Sequence, residues 1–549
     1  MHMDGRLIIG NKRLETPEKI TSINPSSLEA VGEVCLASQE ESQKAVLAAK
    51  EALPLWQSLP PGGKKEILKK AKKILLRRSN EVAHIITLEK GSPFTESLSV
   101  EVLGSLEALD YYASALKKTL RSKKAKHHVA FFSSKKSSFR FEPSGVTLVI
   151  SPWNFPLLIP FCDILSALTA GNTVIFRPST STPFVALLIG EILIEAGLPP
   201  GVLNIVPSKV SIAEAMITNP EIQTIIFTGS VSTGKRIMEL ASRNLTNIVL
   251  ELGGKDPMIV LKDADLERAS RGAIWSAFMN CGQSCASVER VYAAKEIVDK
   301  FVEKVLNLTR KLKVGNPREP GIDMGPMANL SQLEVVEDHI TDATSKGAQI
   351  LWGGNRIKSS PGYFFEPTIL TNVNHSMKIM KEETFGPVLP IMCFSEPDEA
   401  LSLANDCLYG LTASIWTKDK KTAKRMAERI EAGSVTINDH MFSFVEPGAI
   451  WGGIKQTGIG RSHGDFGLLD LANIKYISLD FIKKKRQLWW YPYDASLTKI
   501  LEKSLILLHH DRLINKAKAM LSLLSYWSRI VEGSPIRNLI KMAPRLFKK

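Results

Sequence analysis

The chain has 549 residues, 44% of them hydrophobic and 23% charged, the balance of a multidomain globular protein and not of a disordered, collagen-like or polytopic membrane chain. Six cysteines are too sparse for a disulfide scaffold, and residues 1–10 carry only a three-residue apolar run, so no secretory signal and a reducing, cytoplasmic setting are expected. The net charge of +14 is uneven: residues 483–549 hold 15 Lys+Arg against 4 Asp+Glu, which leaves +3 for the rest and no basis for a nucleic-acid partner of that body.

From about residue 145, short β-branched runs alternate with helical stretches. Strands are predicted at 146–151, 173–176, 202–206, 224–228 and 247–252, with helices at about 157–169, 183–196 and 212–217 and another from about 232. Apolar runs of four to six residues between helices mark a parallel sheet covered on both faces. A second series follows, with strands at 258–261, 288–293, 387–394, 412–416 and 434–437 and helices at 266–279 and 297–312. The predicted fold class is therefore α/β, with two doubly wound parallel-sheet domains. Residues 125–142 are basic and alternating, and read as an extended arm.

Two cysteines stand in FMNCGQSC, residues 278–285. A free cysteine is ordinarily a small buried filler. Cys285, however, follows Gly282, Gln283 and Ser284 at a break between helix and strand, where a thiolate can face a cleft as a nucleophile. Glu251 lies 34 residues earlier in LELGGKDP, at the end of a predicted strand. It is either a solvated strand-end glutamate or a general base whose pKa apolar neighbours raise. In SPWNFP, residues 151–156, Asn154 follows the first strand of the sheet, and its amide could donate to an oxyanion. In FTGSVSTGK, residues 227–235, Gly229 and Gly234 bracket a strand-to-helix turn suited to an anion.

These motifs, together with EETFGPVLP (382–390), SVTIND (434–439) and PGAIWGGIKQTGIGR (447–461), occur in the order and spacing of the aldehyde dehydrogenase superfamily. The chain resembles that family from about residue 23 to 477. The resemblance implies an aldehyde dehydrogenase-like fold, with an NAD(P)-binding domain at 1–124 and 144–252. It further implies an oligomerisation arm at 125–143 and 463–482, a catalytic domain at 253–462 and a homodimer or homotetramer. It makes Cys285 the nucleophile, Asn154 with the Cys285 N–H the oxyanion donors, and Glu251 the base that activates the hydrolytic water. The presence of Glu251 favours the hydrolytic branch over members that pass the acyl group to coenzyme A. Cys281 is expected to be a packing residue or a disulfide partner for the nucleophile.

By the same resemblance NAD or NADP would lie against Ser151, Trp153, Arg177, Thr180, Gly229, Ser230, Gly234, Glu383 and Phe385. No metal ligand set is expected. The family's usual KPSE segment reads Arg177-Pro178-Ser179-Thr180 here. The glutamate that would repel a 2′-phosphate is absent and an arginine can pair with one, so NADP is favoured over NAD. The implied substrate tunnel is Phe155, Leu158, Cys162, Met279, Ser284, Phe442 and Phe444, mostly apolar, which suits an aliphatic or aromatic aldehyde. Succinic-semialdehyde members commonly carry an arginine near Cys162, and none stands here. A semialdehyde dehydrogenase is thus the alternative within the class, and a catalytically silent scaffold the alternative outside it.

Past residue 479 the resemblance fades. KKKRQLWWYPY (483–493) precedes an apolar and basic stretch in which Leu513, Ala517, Met520, Leu524, Trp527 and Val531 share one helical face. No run is long and uncharged enough to span a bilayer. The expectation is a basic amphipathic tail, residues 483–549, on the anionic inner face of a membrane, against the alternative of a helix docked on protein.

Overall fold

The computed structural model describes residues 3–116, 118–129, 132, 135–481, 487, 489–527 and 530. It divides into two compact units, residues 1–120 with 143–473, and residues 121–142 with 474–549.

The first unit holds two sheets. In one, Asn247–Glu251, Thr224–Thr228, Val146–Ile150, Thr173–Arg177 and Leu203–Ile205 lie side by side and parallel. Their central residues are buried, as expected for strands packed on both faces. Antiparallel strands Leu7–Ile9, Lys12–Leu14 and Gly458–Ile459 close the edges. Chain order reverses between Val146–Ile150 and Thr224–Thr228, which makes the crevice beyond their carboxyl ends the place where such sheets bind ligands. The other sheet runs Gln349–Trp352, Thr368–Thr371, Val388–Phe394, Val288–Ala294, Asp256–Val260, Thr412–Trp416 and Ser434–Ile437, parallel except at its first pair. The first two strands of that sheet were not anticipated: both have only four residues, and Gln349–Trp352 is largely exposed. The helices Gln39–Ser58, Pro61–Arg77, Ser79–Lys90 and Leu103–Ala115 also go beyond the sequence reading. The first begins at a capping box in which Ser38 accepts from Glu40 N and Glu41 bonds back to Ser38.

The second unit contains a three-stranded sheet in the order Ala472–Asp480, Lys135–Pro143, Lys123–Ala125. The helix Gly464–Asp470 belongs to the first unit, so the arm's return strand starts later than residue 463. The tail contains two helices, Ala495–His509 and Leu513–Leu524, packed on each other. The first was not anticipated, although Asp494 caps it by accepting from Leu497 N. Leu513, Ala517, Met520, Leu524 and Trp527 are exposed, while residues 483–486, 488 and 531 lie outside the described residues. Among the described residues no helix is long and apolar enough to cross a membrane.

Candidate active site

The segment after Val146–Ile150 leads directly into the crevice. It bends and turns through residues 153–157 before the helix Leu158–Ala170 begins. That helix has no side-chain cap of its own. The buried Glu101 supplies one, its carboxylate accepting from Leu157 N at 2.8 Å and Leu158 N at 3.1 Å. Asn154 is thereby held against the loop of Cys285. Its Nδ2 donates to Gln283 O at 3.1 Å, and Asn280 Nδ2 donates to Asn154 O at 3.0 Å and to Gln283 O at 2.9 Å.

After the helix Leu266–Phe278 and Met279 come three successive residues of positive φ, Asn280 (φ 57°), Cys281 (φ 56°) and Gly282 (φ 71°). Such a backbone is costly for non-glycine residues. Here it is braced by Asn280 N, which donates to Glu96 at 3.1 Å, and by Gln283, which accepts from Ala328 N at 2.9 Å. Gly282 is required on contact grounds as well, since a Cβ there would stand 2.2 Å from Gly386 O. Cys281 is buried with its Sγ 3.6 Å from Met327 Sδ.

Cys285 keeps part of its surface accessible and stands in the walls of two cavities. Burial, then the carboxyls of Glu383, Asp256 and Glu251, hold its thiol well above the usual range. The first cavity, about 310 Å³, is walled by Trp153, Asn154, Gly229, Ser230, Glu383 and Phe385 among others. The second, about 230 Å³, is walled by Phe155, Met279, Ser284, Phe442 and Phe444 among others. Glu251 ends the strand Asn247–Glu251 and is 3% exposed. No hydrogen bond of good geometry reaches either carboxylate oxygen. Burial pushes its pKa up to about 8, with Asp163 adding to the rise and the nearby Ser462 and Arg461 only partly offsetting it.

The first cavity fits the nicotinamide end of NAD(P). Its floor is main chain at Gly229 and Gly253, where a Cβ on Gly253 would stand 2.4 Å from Glu383 Oε2. Trp153 and Phe385 meet edge-on at 5.7 Å. Glu383 accepts from Gly254 N at 3.0 Å. Ser230 caps the helix Val231–Ala241, accepting from Thr233 N.

Six other expected residues stand elsewhere. Gly234 is not in the cavity wall; it lets the helix close on Leu252, which a Cβ would meet at 2.6 Å. Ser151 is buried behind the wall. Arg177 ends the next strand and Thr180 follows it; Arg177 Nη2 donates to Ser208 O at 2.7 Å and Nε has no partner. Leu158 and Cys162 do not line the second cavity. Their helix turns them into the core, Leu158 against Gly104, and burial pushes the Cys162 thiol up.

A buried network was missed. Glu289 accepts from Thr384 N at 2.7 Å, from Phe385 N at 2.8 Å and from Lys255 Nζ at 2.5 Å, and Lys255 also reaches Thr384 Oγ1 at 3.0 Å. Its signal was the pair Glu289-Arg290 inside a strand whose every residue is buried.

The model of the aldehyde dehydrogenase family matches residues 13–477. An NADP(+) succinate-semialdehyde dehydrogenase of Escherichia coli is 34% identical over 84% of this chain and 94% of its own. A 4,4'-diapolycopene aldehyde oxidase of Methylomonas is 36% identical over 87% and 89%. The crystal structure of a betaine aldehyde dehydrogenase from Staphylococcus aureus in complex with NAD+ is 32% identical over 89% of this chain and 97% of that one, with a TM-score of 0.85.

Proposed function

The chain belongs to the aldehyde dehydrogenase family, and we propose that Cys285 is its nucleophile, Asn154 with the Cys285 N–H its oxyanion donors and Glu251 its deacylating base. The activity is oxidation of an aldehyde with NAD or NADP. The observation that carries the assignment is that Cys285 stands in the walls of both cavities, one suited to a dinucleotide and one apolar.

Cys285 loses its proton to solvent and the thiolate sulfur adds to the aldehyde carbon, because an aldehyde has no leaving group and the adduct is a carbon able to lose hydride. Asn154 Nδ2 turns from Gln283 O to the developing oxyanion. NAD(P), when bound, accepts the hydride, and the residue left on Cys285 is a thioester. Glu251 takes a proton from water as the water attacks that thioester, the carbon–sulfur bond breaks to release the acid, and the proton on Glu251 passes on to the departing Cys285 thiolate. Replacement of Cys285 by serine tests the scheme. Turnover of every aldehyde should vanish while reduced cofactor still binds; near wild-type turnover would remove Cys285 from its role.

For the substrate we favour an uncharged, apolar aldehyde. Relatives at 34% and 36% identity bear the names of a semialdehyde and of a diapolycopene aldehyde, so likeness alone does not choose. The pocket at Cys285 offers Phe155, Ile159, Met279, Phe444 and Trp451 and no arginine, lysine or histidine for a carboxylate. NADP is favoured because residues 177–180 carry a partly unpartnered arginine and no acid. An oligomer is supported by the arm, whose edge strand Ala472–Asp480 exposes Ile474, Tyr476 and Leu479. The tail helices, with exposed Leu513, Ile514, Met520, Leu521, Leu524 and Trp527 beside exposed Lys499, Arg512 and Lys518, support a peripheral site on an anionic membrane.

A further inference from the structure

We infer that the substrate is a long-chain aldehyde whose hydrocarbon tail passes from the pocket at Cys285, across Trp275 and Met279, along the apolar side of a second and larger chamber. The inference rests on the reading of Cys285 as nucleophile and carries it to a substrate class. The pocket at Cys285 is about 230 Å³. An apolar cavity of about 150 Å³ takes one benzene, so this pocket holds roughly nine carbon atoms. A chain longer than that must continue elsewhere.

The structure offers a continuation. A cavity of about 600 Å³ lies on the far side of Trp275 and Met279, the two side chains that stand in both walls. Neither makes a fixed partition. Methionine is unbranched and adaptable, and Trp275 is 50% exposed, so packing does not hold it on all sides. Beyond them the chamber presents Ile274, Phe278, Leu308, Leu312, Ile322 and Met324.

Its wall also carries charged side chains, Arg271, Lys311, Asp323 and Glu96, whose pKa burial pushes up to about 7. Arg271 is paired with Glu267 at 2.8 Å, Asp323 accepts from Lys313 N at 2.9 Å, and Glu96 accepts from Asn280 N. The apolar side chains that line the chamber suit an unbranched or isoprenoid hydrocarbon.

The test compares straight-chain aldehydes that the inner pocket holds entirely with ones of about twice that length, in wild-type enzyme and in Leu312→Trp, which fills the chamber without touching the pocket at Cys285. Wild-type kcat/KM should keep rising beyond about nine carbons, by tenfold or more over the longer chains. Leu312→Trp should lower it about tenfold for the long aldehydes and less than twofold for the short. Ile322→Trp, on another element, serves where Leu312→Trp does not fold. A wild-type profile that is flat or falls beyond the inner pocket's capacity overturns the inference, as does an equal effect of the tryptophans on short and long substrates. Oxidation of short but not long aldehydes sinks this inference alone, whereas failure to oxidise any aldehyde removes the reading of Cys285 with it.

Discussion

At the scale of single residues, the site pairs a thiol and a carboxyl that are both kept neutral by burial. Cys285 is held well above the usual thiol range, and Glu251 is pushed up to about 8. In the proposed scheme the thiolate is the nucleophile and the carboxylate is the base, so both steps should gain with rising pH, deacylation levelling once Glu251 is ionised above about 8. Glu251→Gln separates the two. Rapid mixing should show a burst of about one reduced cofactor per site that still accelerates with pH, followed by a steady state about a hundredfold slower and without the limb near pH 8. Loss of the burst together with turnover would move Glu251 into the acylation step. Thr180→Glu addresses the cofactor. A carboxylate there would accept ribose hydroxyls and repel a 2′-phosphate, so the ratio of kcat/KM for NADP over NAD should fall about tenfold or more. An unchanged ratio would place position 180 away from the adenosine ribose.

At the scale of elements, the loop 383–385, which leads into the strand Val388–Phe394, depends on the neighbouring strand Val288–Ala294. Two successive main-chain N–H groups, Thr384 and Phe385, and the Lys255 ammonium all converge on Glu289. Phe385 holds a left-handed φ of 50° that its side chain does not favour. Glu289→Gln keeps the shape and removes the charge, so the loop should loosen. KM for the cofactor should rise about tenfold with a smaller loss in kcat, while acyl transfer from a p-nitrophenyl ester to Cys285, which needs no cofactor, should stay within twofold. Equal loss of ester cleavage would make Glu289 a general fold residue and not a positioning one. This network also marks where sequence reading stops. Parallel strands were legible because burial on both faces leaves uninterrupted apolar runs, as in Val146–Ile150 and Thr224–Thr228. The loops at their carboxyl ends were legible because glycine, proline and asparagine cluster there. Glu101, Glu289 and Lys255 were not: the two glutamates accept from main-chain N–H groups distant in sequence, and Lys255 donates to the side chains of Glu289 and Thr384, contacts that no local pattern records. Leu158 and Cys162 were misassigned to the tunnel for a related reason: every residue of their helix is buried, so hydrophobicity could not tell which face meets the cavity.

At the scale of the whole chain, charge and apolar exposure are concentrated together in the part that the family does not share. The family match ends at residue 477, and residues 483–549 carry 15 of the 70 basic side chains. Within the second unit the two tail helices bury Leu497, Ile500, Leu507 and Ala519 yet leave Leu505, Leu513, Ile514, Leu521 and Leu524 exposed. A hairpin that only needed to fold would have no use for that second apolar surface among cations. Each Lys or Arg near an anionic bilayer contributes about 1 kcal/mol, and burial of the leucines adds to it. The full-length protein should therefore sediment with anionic vesicles and be partly released by high salt, whereas a chain truncated after residue 482 should stay in the supernatant. All the proposed site residues precede the cut, so the truncated enzyme should oxidise a short water-soluble aldehyde as before. Its oxidation of a long-chain aldehyde presented in vesicles should fall several-fold. A tail that covers protein gives the opposite pattern: vesicles would not retain the full-length chain, and truncation would bare an apolar patch, with aggregation or a changed oligomer and equal loss on short and long substrates. Sedimentation and the short-to-long activity ratio together therefore assign the tail to a bilayer or to protein.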